Sequence, residues 1–357
     1  LRRALRTGGD AQTTIRAHIL LGSIHISNEQ WSQAKESYDN AEIVMRRTSG
    51  SPLLQREHYE DEIQLKRGIV NCRSGQDRDA LNDLSKYLAR HPVDERADEA
   101  LFWLAESFYH AQLMKNAADS YRKLLANFGS SARREESLYG LGWVLFRTRE
   151  LDSANGVFSR LLKEYPQTRF AADVNVRRGD ALYLTKKYAD AAKAYTEALR
   201  ANSEGDLAEY AQFQVGQSYY RSKEYGKALQ ELTMFYQTKP TSSFADHAVY
   251  TVAYIYSLQE RHTEAMREFD RLVHSYPQSE LVPASMYYAA NAQYAKGEFE
   301  DAMTRYRSLM GLYPTTYYGI EALRGLQESL SVLGRDNEAI EAGKSYVAAN
   351  PQGDIQE

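Results

Sequence analysis

The sequence predicts an all-helical solenoid of about nine helix–turn–helix repeats, and three columns of residues at one spacing carry that prediction. Pro240, Pro277, Pro314 and Pro351 lie 37 residues apart, and the same register read backwards gives Ser203, Pro166, Gly129 and Pro92. All of these are residues that end or follow helices. Twelve positions earlier stands an unbroken alanine column: Ala80, Ala117, Ala154, Ala191, Ala228, Ala265, Ala302 and Ala339. A third column is small until its last member: Gly68, Ala105, Gly142, Gly179, Gly216, Ala253, Ala290 and then Gln327. Self-similarity at a period of this size marks a repeat architecture.

One unit shows how a repeat folds. Residues 171–185 read as a helix, Lys186 and Lys187 as a turn, and residues 189–201 as a second helix with Ala191, Ala194, Tyr195 and Ala198 on one face. Small residues at 179 and 191 let the two helices approach closely. A polar column (Asp94, Ser131, Thr168, Gly205, Ser242, Ser279, Thr316, Gly353) is expected to supply the N-caps of the following helices. No segment reads as strand. The units run over 57–92, 94–129, 131–166, 168–203, 205–240, 242–277, 279–314 and 316–351. A further unit at 11–48, marked by Gly22, Trp31, Ala34, Tyr38 and Ala41, is set off by an irregular insert at 49–56 containing Gly50 and Pro52. Residues 1–10 read as the remnant of a preceding repeat and 352–357 as an open C-terminal end. The chain starts at Leu1 and is expected to be a fragment. In the last unit Gln327 replaces the small residue and Gly343 the aromatic one, which reads as the beginning of a cap.

The order Gly179, Tyr183, Tyr188, Ala191, Tyr195, Ala198 resembles the tetratricopeptide repeat, and the likeness covers about residues 11–351. That resemblance implies a right-handed superhelix and a general protein-binding scaffold. Its ordinary period of about 34 residues is exceeded here, so the loop between repeats is expected to be longer. Tyr165-Pro166-Gln167, Tyr276-Pro277-Gln278 and Tyr313-Pro314-Thr315 make the chain similar to a bacterial subset. That subset includes the Tol-Pal-associated periplasmic and outer-membrane barrel-assembly lipoprotein families. The resemblance implies a periplasmic or outer-membrane address. The sequence alone leaves a cytoplasmic one equally open.

Composition excludes several other classes. The 44 Lys+Arg against 48 Asp+Glu give a formal charge of −4, without the basic excess of a nucleic-acid binder. The one cysteine, Cys72, excludes an internal disulfide framework and any multi-cysteine zinc or iron–sulfur site. There is no apolar run long enough to span a membrane.

The tetratricopeptide resemblance also implies that the first helix of each pair lines a groove. Three residues before the small column stand Phe102, Tyr139, Val176, Phe213, Tyr250 and Tyr287. Four after it stand Tyr109, Phe146, Tyr183, Tyr220 and Tyr294. Columns seven apart share one helix face, so the rings form a ladder that serves packing, partner contact or both. Trp143 lies in a groove column. Arg147 and Arg221 are candidate anchors for carboxylates of a bound peptide, among acids such as Glu99, Glu106, Glu136, Asp173 and Asp180 that otherwise read as a solvated face. The Asn/Lys pattern with which chaperone-tail binders hold a terminal carboxylate is absent, since only Asn291 matches its column.

No catalytic chemistry is visible. The eight histidines show no metal-binding spacing, although His18 and His25 share one helix. Cys72 reads as a packed thiol, and Trp31 and Trp103 as packing residues. The expected function is therefore a non-catalytic scaffold without cofactor or metal that binds a protein or peptide, in the groove by preference. The alternatives are a binding arm of a larger enzyme, or contact through the convex face or by end-to-end self-association.

Overall fold

A computed structural model of the chain describes residues 10–48 and 56–350. The expected remnant before Asp10, nearly all of the 49–56 insert and the end at 351–357 lie outside the described residues. Among the described residues there are eighteen helices and no strand. They pair as α1 (Ala11–Ser27) with α2 (Trp31–Arg47), α3 (Arg56–Arg73) with α4 (Asp77–Arg90), α5 (Ala97–His110) with α6 (Met114–Asn127), and α7 (Arg134–Arg147) with α8 (Leu151–Glu164). Then follow α9 (Ala171–Leu184) with α10 (Tyr188–Ala201), α11 (Asp206–Arg221) with α12 (Tyr225–Thr238), and α13 (Ala245–Leu258) with α14 (His262–Ser275). The last pairs are α15 (Val282–Ala295) with α16 (Phe299–Leu312) and α17 (Tyr317–Val332) with α18 (Asp336–Ala349). None of these helices is long and apolar enough to cross a membrane.

Each first helix stops in the same way. In α5 the N–H of Gln112 bonds Tyr109 O at 3.0 Å and that of Leu113 bonds Phe108 O at 2.8 Å. This is the Schellman arrangement, which needs one left-handed residue. That residue is Gly75, Gly297 or Gly334 in three repeats. In six it is not glycine: Glu29, Gln112, Arg149, Lys186, Lys223 and Glu260, with φ between 56° and 66°. A side chain there costs on the order of 1 kcal/mol, partly offset by the smaller entropy of the unfolded chain. Lys186→Gly and Lys223→Gly are each expected to stabilise the chain by about 0.5 kcal/mol, read as a rise in denaturation midpoint.

The polar column does not cap helices as the sequence suggested. Asp94, Ser131, Ser242 and Ser279 stand two residues before the N-caps, and their side-chain oxygens accept the backbone N–H two residues on. They shape the loop between repeats as Asx- and Ser/Thr-turns. Two members stand at the N-cap as expected: Thr316, which accepts from Gly319 N at 3.1 Å, and Gly205, which has no side chain to accept. In the repeats that begin at Asp94, Ser131, Ser242 and Ser279 a turn delays the helix start past the polar residue.

Inside a pair, a large residue of the second helix fills the hole opposite the small residue of the first. Tyr38 lies under Gly22, Leu84 under Gly68, Phe158 under Gly142 and Leu232 under Gly216; all four large side chains are fully buried. A Cβ on Gly216 would stand 2.5 Å from Leu232, so the close approach requires glycine there. In the last pair the sizes swap. Gln327 on α17 faces Gly343 on α18 and donates to Ala339 O at 3.1 Å. The apparent decay of that repeat is thus a complementary exchange that keeps the contact filled.

The helices gather into two compact units, Leu1–Ala181 and Leu182–Glu357. Within the first unit, α1 packs on α3, α3 on α5 and α5 on α7; within the second, α11 packs on α13 and α15 on α17. Direct contact between successive first helices puts them on the side where the pairs converge.

Candidate functional site

Aromatic residues seven apart on a first helix share that converging side, and most of them border a cavity. In the first unit a cavity of about 330 Å³ is walled by Phe102, Glu106 and Tyr109 of α5, Glu136, Tyr139, Gly140 and Trp143 of α7, Tyr121 of α6 and Phe170 of the following loop. Phe170 stacks on Tyr139 with centroids 4.3 Å apart and rings 13° from parallel. The Tyr139 hydroxyl donates to Asp173 at 2.9 Å. Burial and the Asp173 charge push that phenol up to about 12, so it remains a donor at every ordinary pH. Tyr121 donates to Glu106, and its phenol is raised far above its usual range by burial and by that carboxylate.

The second unit holds a wider and more polar cavity of about 530 Å³. Its walls are Tyr183, Phe213, Gln214, Gln217, Tyr220, Arg221, His247, Tyr250, Thr251, Tyr254 and Tyr288. Arg221 Nε donates to the Tyr183 hydroxyl at 3.2 Å, which holds the guanidinium against the wall. Gln217 Nε2 donates to Thr251 Oγ1 at 2.8 Å. Tyr250 and Tyr254 stack at 6.3 Å. Burial raises the phenols of Tyr250 and Tyr220. The cavity therefore offers hydroxyl, amide, imidazole and guanidinium groups on an aromatic frame.

Nine of the twelve residues expected at a binding face line these two cavities: Phe102, Tyr109, Tyr139 and Trp143 in one, Tyr183, Phe213, Tyr220, Arg221 and Tyr250 in the other. Phe146, Arg147 and Tyr287 do not. Phe146 meets Trp143 edge-on, Arg147 lies over Tyr109 and donates to Gln112, and Tyr287 packs among Tyr288, Tyr306 and Tyr318. The ladder is also less open than the columns suggested. Phe102 and Phe213 are buried, and Val176 fully so. The cause is a loop residue of the next repeat: Arg133 covers Phe102, Phe170 covers Tyr139 and Phe244 covers Phe213. Those lids, with Gly140, His247 and Tyr288, were not singled out from the sequence. Their signal was another column at the same spacing, Arg133, Phe170, Leu207, Phe244, Leu281 and Tyr318.

Outside the cavities, ligand atoms of Cys72, Asp77 and His110 lie within 4.8 Å of one another. Three different helices bring them together, so no linear spacing announced it. His110 Nδ1 lies 3.4 Å from an Asp77 carboxylate oxygen. Burial pushes the Cys72 thiol up to about 11, which opposes the thiolate a metal needs. The geometry is that of a packed thiol beside a carboxylate and an imidazole.

Two profiles of the tetratricopeptide repeat match the sequence, one over residues 65–132, 139–206 and 176–243 and the other over 247–279 and 284–316, together well over half of the chain. The chain belongs to the tetratricopeptide repeat family. Among solved structures, the C-terminal part of a tetratricopeptide protein from Cytophaga hutchinsonii is similar at 15% identity and TM-score 0.56, over 73% of this chain and 99% of that one. The apo form of RapI is similar at 15% identity and TM-score 0.47, over 96% and 99%. YrrB, described as a tetratricopeptide protein with an unusual peptide-binding site, is similar at 18% identity and TM-score 0.45, over 56% and 95%. At these identities the likeness concerns the fold alone. No curated protein matches the sequence. In tetratricopeptide terms the two cavities lie on the faces of the first helices of repeats three and four and of repeats five to eight.

Proposed function

We propose that the chain is a non-catalytic recognition module that holds extended peptide segments of a partner protein on the first-helix face of either unit, each with its own aromatic cavity as an anchor. The observation that carries this reading is the convergence of nine residues, drawn mostly from two sequence columns, into the walls of two cavities. Aromatic rings provide large contact area at small entropic cost, and their polar tips orient the bound chain. Arg221 and His247 in the second cavity suit a carboxylate or amide of such a segment. The setting we assign is a bacterial envelope complex on the periplasmic side. The Tyr-Pro-Gln motifs and their resemblance to envelope lipoprotein families support it.

The test is selection from a displayed random-peptide library on the chain, followed by affinity measurement with Tyr139→Ala/Tyr250→Ala/Arg221→Ala. The variant's fold is checked by helical circular dichroism. Selected peptides should bind the variant at least about tenfold more weakly. Equal affinity for both would refute the first-helix face as the binding surface.

A further inference from the structure

We propose that the first-unit cavity is an arginine pocket, which takes the guanidinium of an arginine side chain in a bound peptide. This deepens the peptide-binding reading above and rests on it. A glycine opens the floor of this cavity. At the equivalent register other repeats carry Lys66, Trp103, Arg177, Gln214, Thr251 and Tyr288 on their first helices, whereas α7 carries Gly140 and α17 Gly325, each against a tyrosine of the preceding second helix, Tyr121 and Tyr306. The two differ in charge, since the Tyr121 hydroxyl meets Glu106 where that of Tyr306 meets Asn291. Glycine inside a helix costs about 1 kcal/mol relative to alanine. Here a Cβ would stand 2.5 Å from Cζ and Oη of Tyr121. Gly140 thus makes the room in which the Tyr121 ring forms the floor and its hydroxyl reaches Glu106.

The charge around that space is one-sided. Glu106 from α5 and Glu136 from α7 both line it, and no lysine, arginine or histidine does. Among the described residues no basic side chain pairs with Glu106. Glu136 meets Arg133 only at 3.9 Å, and Arg133 divides itself between Glu136 and Glu99 at the same distance. The remaining walls are the rings of Phe102, Tyr109, Tyr139, Trp143 and Phe170. Four wall rings already hold an internal guanidinium: Arg133 over Phe102 at 5.2 Å, Arg147 over Tyr109 at 5.3 Å, Arg169 over Phe170 at 4.8 Å and Arg177 over Trp143 at 4.9 Å. Arg177 is itself neutralised by Asp180 at 2.8 Å and Asp173 at 3.5 Å.

Aromatic faces with two carboxylates on different helices select a cation. A planar guanidinium with five donors can reach both carboxylates while it stacks on a ring. A lysine ammonium brings one point charge and no plane, and an acidic side chain is repelled.

The probe is acetyl-Gly-Gly-Arg-Gly-Gly-amide, titrated into the whole chain and followed by indole fluorescence, with Trp143→Phe used to assign the signal. Peptides carrying citrulline or lysine in place of arginine are run beside it. The arginine peptide should saturate and bind about tenfold or more tighter than the uncharged citrulline peptide, with lysine weaker than arginine. In Glu106→Gln/Glu136→Gln the arginine peptide should fall to the citrulline level while the citrulline peptide is unchanged. Gly140→Leu should abolish arginine binding by filling the space. Equal binding of arginine and citrulline, a lysine peptide as tight as arginine, no saturation, or an unaltered double variant would each overturn the pocket. Library peptides that need Tyr139 and Tyr250 yet lack arginine would overturn the pocket and leave the peptide-binding reading standing.

Discussion

Phe158→Ala is expected to destabilise the first unit by about 3–5 kcal/mol, the range for truncating a fully buried aromatic. Phe158 has no exposed surface and fills the hole left by Gly142 on the partner helix. The pair belongs to a cluster that includes Tyr121, Leu138, Leu141 and Leu161. Truncation leaves a cavity that the glycine side cannot close. Repeat stacks unfold through neighbour interfaces, so the measurement is urea unfolding with local readout by hydrogen exchange. Exchange in α7 and α8 should accelerate most. Phe235, also fully buried but in the second unit, is the comparison whose truncation should leave α7 and α8 protected.

Arg67→Met should be nearly as damaging, about 3–5 kcal/mol, because it strands a buried carboxylate. Arg67 donates from Nε and Nη2 to Asp83, each at 2.8 Å, and also reaches Glu42 and Asp39. Asp83 is 3% exposed and its other partner is Asn71 at 3.2 Å. Pairing Arg67→Met with Asp83→Leu should recover most of the loss, which separates a stranded charge from lost packing. The network also sets an acid dependence. Burial pushes the Glu42 carboxyl up, but hydrogen bonds from Arg67 and Arg46 outweigh it and hold the group below its ordinary value. A carboxyl lowered in the folded state contributes stability above its unfolded pKa and loses it as pH falls through the folded one. Stability should therefore decline on acidification below the usual glutamate range, and less steeply in Arg67→Met. Guanidinium-free denaturation between neutral pH and about pH 3 checks the slope.

How much of this was legible in the sequence depends on which physical signal each feature leaves. Helix pairing was readable because residues such as Gly142 and Gly216 must be small for close approach and Pro166 and Pro277 cannot continue a helix. The left-handed turn residue was not. Gln112, Arg149, Lys186 and Lys223 have no preference for that conformation, and the Schellman hydrogen bonds impose it on them. The N-cap expectation failed by two residues because Ser131 and Ser279 had a local alternative, the Ser/Thr-turn. Of the cavity walls, one helix face accounts for the rings of Tyr109, Tyr139, Tyr183 and Tyr220. What that face does not contain was lost: the loop rings Phe170 and Phe244 come from the next repeat, and Gly140 contributes by having no side chain. Gln327 and Gly343 show the same limit. Each alone looks like decay, and only their juxtaposition shows an exchange of sizes.

The claim that ligand sits on the first-helix face is tested most directly by hydroxyl-radical footprinting of the chain with and without a selected peptide. The method reads tyrosine and tryptophan side chains individually. Binding should protect Tyr109, Tyr139 and Trp143 in the first unit or Tyr183, Tyr220 and Tyr254 in the second, with Tyr165, Tyr225 and the exposed Tyr317 unchanged. Protection confined to those last three, with the cavity rings oxidised at their free rate, would contradict the account.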